Sequence, residues 1–282
     1  MAIIFSWTLF FITDAYVISK YSNTALIGLI GFYGHLIAMM GPMLAAMIML
    51  YFFQKDKLLN INLGNNKYYL YAICVVLIIW IIPLLLFIFF NKGLMVRRIY
   101  NNYDFIYIVS YLLLGWFAGM GEEYGWSGYI LTQLSGKLTK SKAVVVSGTL
   151  RGLWHLPVII IPFILKVNTG QYSLLNLFVL TIVFAILLSV SNIFFSALFG
   201  YAWYKTKSIP LLGWMHILYD WVRDFTLMAV AGFATSSWYK YGWNIPFIFI
   251  AAYTIHKIAK EDGYSNFLEI FYKKKASRII SK

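Results

Sequence analysis

The sequence predicts an all-α fold, a polytopic membrane helix bundle of about eight transmembrane helices. Three observations predict it. Of the 282 residues, 61% are hydrophobic and 12% charged, whereas soluble domains are about 45–50% apolar and about 25% charged. Mean hydropathy is +0.75. The apolar residues fall in runs near the roughly 20 residues needed to cross a bilayer. These runs lack the period-two alternation of barrel strands, as in Val75 to Ile82, so helices are left as the way to satisfy backbone polar groups in lipid. Disordered, collagen-like and ordinary soluble classes are excluded.

The expected segments are 2–19, 25–53, 69–90, 105–134, 143–166, 174–203, 208–233 and 244–258, in a single integral-membrane domain spanning 1–282. The first is short and carries Asp14. No basic start precedes it, which argues against a cleaved signal peptide. The net charge of +13 is spread between apolar runs, a pattern that suits membrane lipids and not nucleic acid. With the C-terminus inside, inner segments hold fifteen basic residues, including Lys55, Lys137, Lys140, Lys142, Lys205 and Lys207. Outer segments hold six, among them Arg97 and Arg98. The positive-inside bias therefore predicts a cytoplasmic C-terminus. The basic tail 259–282, with Phe267, Leu268, Ile270 and Phe271 interleaved, is expected on the inner membrane surface. The single Cys74 excludes an intrachain disulfide framework and reads as an inert buried thiol.

Ionisable residues inside membrane segments are candidates for function. Glu122, Glu123, Arg151, His155, His216, Asp220, Arg223 and Asp224 all lie in the fourth, fifth and seventh segments. At the helical rise, Glu122, His155 and Asp220 fall about 18 Å from the inner ends of their segments, and His216 about 12 Å. A carboxylate, two imidazoles and a second carboxylate thus reach one level on three helices. His216, Asp220 and Arg223 share a face by spacing, as do Arg151 and His155. Gly115, Gly119, Gly121, Gly125 and Gly128 surround the first site and permit close helix approach. His35 and Asp14 are isolated groups expected to serve packing.

The runs Glu122-Glu123-Tyr124-Gly125-Trp126-Ser127-Gly128, Gly152-Leu153-Trp154-His155-Leu156-Pro157 and His216-Ile217-Leu218-Tyr219-Asp220 resemble the three motifs of the CPBP family. These intramembrane proteases include the type II CAAX prenyl endopeptidases and the bacterial Abi proteins linked to bacteriocin self-immunity. The family patterns are Glu-Glu-x-x-x-Arg, Phe-x-x-x-His and His-x-x-x-Asn/Asp, and the resemblance covers about 105–225. It implies an endopeptidase in which Glu122 is the general base, His155 helps hold the water, and His216 and Asp220 lie on the oxyanion side. Its substrate would be a prenylated protein, a peptide precursor or another membrane-associated chain.

Two positions depart. Ser127 stands where the family has Arg, and Arg151 where it has Phe. Arg151 is expected to supply from the fifth segment the charge usually supplied from the fourth, since unpaired buried carboxylates are strongly unfavourable. Glu123 is then structural, paired with Arg151 or Arg223. An ionised Asp220 would repel an oxyanion, so it is expected to pair with His216. Zinc held by Glu122, His155 and His216 is an open alternative, although no His-Glu-x-x-His helix is present. Three others are a serine protease using Ser127 in Gly125-Trp126-Ser127-Gly128, a transporter, and a non-catalytic membrane adaptor or bacteriocin-immunity protein of the same fold.

Overall fold

The computed structural model describes residues 37–54, 62–90, 102–168, 170–230 and 244–273. The expected segment 2–19, Asp14, His35, Arg97, Arg98, the side chain of Asp224 and the end of the basic tail lie outside the described residues. Among the described residues every regular element is helical. They are α1 (Gly41–Ile48, continued by a π-helical turn Met49–Gln54), α2 (Asn66–Phe90), α3 (Asn102–Glu123), a π-helical segment Tyr124–Leu131, α4 (Thr132–Ser135), α5 (Lys140–Asn168), α6 (Leu174–Thr206), α7 (Ile209–Val230), α8 (Asn244–Glu261) and α9 (Glu269–Tyr272).

Two of these helices are long and apolar enough to cross a bilayer, Asn66–Leu85 with mean hydropathy 2.4 and Leu174–Thr206 with 2.6. The second has an outward apolar stripe: Leu174, Leu175, Phe178, Val179, Ile182, Val183, Ile186, Leu187 and Val190 are all exposed. At the helical rise the stripe runs about 24 Å. A soluble monomer rarely exposes so large a continuous apolar surface, whereas lipid covers it without penalty. Cys74 corrects its expectation: it is exposed, not buried. It shares the outer face of α2 with exposed Leu70, Leu77 and Ile78, because this helix is apolar all round and an apolar run does not tell its inner face from its outer one.

Local chemistry sets the helix ends. Ser173 caps α6 by accepting from the Asn176 amide. At the other end Lys207 takes a left-handed conformation with φ 52°, which turns the chain within two residues into α7. Ser208 then caps α7, accepting from Leu211 N while donating to Asn62 O. The fifth segment starts earlier than its apolar run. Asp262, at the end of α8, accepts from the Ser141 amide and hydroxyl at 2.7 and 2.6 Å. A carboxylate at a helix N-terminus satisfies donors that the helix itself leaves open.

Helix α5 packs along α6, α3 and α2 pack on α7, and α8 packs on α6. The α5–α6 contact is backbone on backbone. A methyl group at Gly148 would stand 2.7 Å from Asn192 O, and one at Gly152 would stand 2.5 Å from Leu188 O. No side chain fits there. Gly148→Ala is therefore expected to force the two helices apart, lowering stability by about 1–3 kcal/mol as overpacking does. Unfolding in detergent measures this, and an unchanged midpoint would contradict it.

Glu269 ties down α9. It accepts from the Ser265 hydroxyl, from the Ser265 amide at 3.1 Å and from Lys273 Nζ at 3.1 Å. These partners, the Ser265 hydroxyl first, hold its carboxyl at about 2, below the ordinary value of 4.5. A lowered carboxylate pKa contributes stability that is complete above the ordinary value and is lost as pH falls through the lowered one. Amide exchange in 264–273 is expected to quicken between pH 4.5 and about 2, and Glu269→Gln should remove that pH dependence.

Candidate active site

Glu122 and Glu123 end α3, where the helix widens into the π-helical segment. Such segments occur frequently at functional sites. Gly125 lets this segment press on the start of α1: a methyl there would lie 2.5 Å from the Pro42 carbonyl carbon. Across from the glutamates, α5 presents Arg151 and, one turn on, His155. Helix α7 presents His216, Asp220 and Arg223 from one face.

Arg151 is the centre of the arrangement. It is 1% exposed, and Glu122 and Glu123 are 2% and 0% exposed. Its Nη2 donates to Glu122 Oε1 at 2.6 Å and to Glu123 Oε1 at 2.5 Å, and its Nε donates to Glu122 Oε1 at 3.1 Å. Phe195 and Phe199 of α6 flank the guanidinium, with ring centres 4.5 and 5.7 Å from Cζ, an attractive cation–π placement. One buried cation thus serves two buried carboxylates.

The two glutamates differ in what remains of them. Glu123 is fully engaged. Its Oε1 also lies 3.0 Å from His216 Nδ1, and its Oε2 accepts from the Ser127 hydroxyl at 2.6 Å. Glu122 has both Arg151 donors on one oxygen, and its Oε2 lies 3.8 Å from His216 Nε2. That imidazole nitrogen is also 3.5 Å from Asp220 Oδ2, whose other oxygen accepts from Arg223 Nη1 at 2.7 Å. His155 Nε2 stands 4.0 Å from Glu122 Oε1, with its ring edge-on to Trp154.

A cavity of about 300 Å³ opens beside Glu122. Glu122, Arg151, His155, His216, Asp220 and Arg223 line it, together with Met39, Ser191, Asn192, Phe195, Tyr219 and Phe247. Glu123 and Ser127 do not line it. The sequence-derived candidates therefore separate into a cavity wall and, behind Arg151 and His216, a buried support. The α6 wall of Ser191, Asn192 and Phe195 was not among those candidates. Its one sequence signal is an Asn in the middle of a strongly apolar helix. Ser127 is 3% exposed and its hydroxyl is bound to Glu123, so it does not present a nucleophile to the cavity.

Glu122, Glu123 and His216 each bring a ligand atom within 4.8 Å of the others, a grouping that can hold a metal ion. It differs from the expected set, because Glu123 takes the place of His155. The Arg151 guanidinium already stands on one oxygen of each glutamate. A divalent cation there would have to share those oxygens with a fixed positive charge. The donor set could hold a metal only alongside Arg151, and no catalytic step is derived through one.

Residues 104–222 match the family model described as type II CAAX prenyl endopeptidase Rce1-like. Over this segment the chain is similar to the Rce1-like family. The match takes in the Glu122-Glu123 pair, Arg151, His155, His216 and Asp220, which supports assignment to CPBP proteins and a protease of the CAAX type. The buried Glu122, Glu123 and His216 fit that activity. No curated protein matches the sequence.

Proposed function

We propose that the chain is an intramembrane endopeptidase that hydrolyses a peptide bond of a lipidated, membrane-associated or precursor peptide, using a water activated by Glu122. The observation that carries this reading is the asymmetry of the glutamate pair. Arg151 pins one oxygen of Glu122 while the residue lines a cavity beside His216. Peptide hydrolysis needs a base within reach of a water and donors for the developing oxyanion. Arg151 fixes the carboxylate so that Oε2 is the basic atom. Glu123 orients His216 through Nδ1, which directs Nε2 toward Glu122 Oε2 and Asp220 Oδ2. Asp220, paired with Arg223, keeps a compensating negative charge near that imidazole.

About eight spans would embed this core, with the C-terminus on the cytoplasmic side and lipid against the α6 stripe. Arg151 then stands in for the cation that the family motif places at Ser127. A non-catalytic adaptor or immunity protein is the second reading. It is favoured by the ion pairs that Arg151 makes with both glutamates. Purified protein in liposomes, offered a farnesylated internally quenched peptide, tests the first reading. Cleavage by wild type and none by Glu122→Gln supports it, and equal cleavage by both would contradict it.

A further inference from the structure

An amide side chain buried in a strongly apolar helix is unfavourable unless it has a partner or a task. Asn192 is such a group: it lies within Leu174–Thr206, is 9% exposed, and lines the cavity with Glu122 and His216. Its place is set by backbone contact, because Gly148 of α5 packs directly on Asn192 and Ile193. Nδ2 donates one hydrogen to Leu188 O at 2.9 Å, which fixes the plane of the carboxamide. The amide nitrogen carries a second hydrogen.

Three of the cavity's side-chain donors have other duties. Arg151 holds both glutamates, His216 Nδ1 faces Glu123, and Arg223 holds Asp220. An ionised Asp220 accepts and does not donate.

We propose that Asn192 is a catalytic residue that donates from Nδ2 to the carbonyl oxygen of the scissile peptide as it becomes an oxyanion. This rests on the hydrolase reading above. In the step, the water oxygen bonds to the carbonyl carbon while a water proton passes to Glu122. The C=O π pair moves onto oxygen, where the amide hydrogen meets it. Collapse re-forms C=O, breaks the C–N bond, and returns the proton from Glu122 to the leaving amine. A neutral donor assists here without joining the proton transfers.

The test uses the full chain in membranes, with new protein N-termini read over time for wild type, Glu122→Gln, Asn192→Leu and Asn192→Asp. Asn192→Ser, which keeps a donor, is the rescue variant. Termini that depend on Glu122 are expected to form about 10²–10³-fold more slowly with Asn192→Leu and with Asn192→Asp, the usual effect of removing one oxyanion donor. Asn192→Ser should recover part of the rate. With a substrate so found, the loss should lie in kcat and not in KM. Wild-type rates in folded Asn192→Asp would overturn the assignment alone. Termini that persist in Glu122→Gln would overturn the hydrolase reading and this inference with it. If both large-effect variants fail to fold, Asn192→Ser decides: a loss in KM with kcat kept would overturn the role.

Discussion

Arg151→Phe is expected to destabilise the protein by about 3–5 kcal/mol, the range found when one partner of a buried ion pair is removed. Phenylalanine is the residue that the CPBP pattern places here, and its volume and the neighbouring Phe195 and Phe199 make it a tolerable packing choice. The charge is what fails. Glu123 would keep the Ser127 hydroxyl and His216. Glu122 would lose both hydrogen bonds that Arg151 gives it. Two carboxylates would then share a buried site with no guanidinium between them.

The family's own arrangement supplies the control. Adding Ser127→Arg to Arg151→Phe returns a cation to the same pair from the π-helical segment, and should recover much of the loss. Unfolding in detergent, followed for the two single variants and the double variant, measures the coupling. Additive effects, or an unchanged Arg151→Phe, would show that the cation does not bridge the glutamates.

Glu122→Gln is expected to reduce cleavage by about 10²–10⁴-fold, the contribution of a positioned general base, with little change in fold. Gln keeps the shape and an oxygen for Arg151, and Glu123 still neutralises the guanidinium. Glu123→Gln should behave differently. It disturbs Arg151, His216 and Ser127 together, so stability and activity should fall in parallel. Equal outcomes for the two variants would remove the division between a reacting and a supporting glutamate.

Much of this was legible from residue types. From the third expected segment on, the apolar runs match the described helices to within a few residues, because a membrane span demands a long uninterrupted apolar stretch. Arg151 was legible as the partner of the glutamates, because charge bookkeeping leaves few buried cations to choose from. The α5 start was not, since its cap comes from Asp262, 121 residues away from Ser141. The π-helical turn at Tyr124–Leu131 was not, because its composition reads as ordinary helix. Asn192 was missed because it is uncharged and belongs to no motif; only the glycine contact between α5 and α6 brings it to the cavity. The metal grouping was legible in part: Glu122 and His216 belong to it, whereas Glu123 joins them through its contact with His216, and His155 sits 4.0 Å from Glu122.

Whether Glu122 makes this chain a hydrolase can be read from membrane-proteome N-termini in cells making wild type, Glu122→Gln or Ser127→Ala at equal levels. New termini should appear with wild type and Ser127→Ala and vanish with Glu122→Gln. Identical termini in all three, or loss with Ser127→Ala alone, would contradict a glutamate-dependent hydrolase.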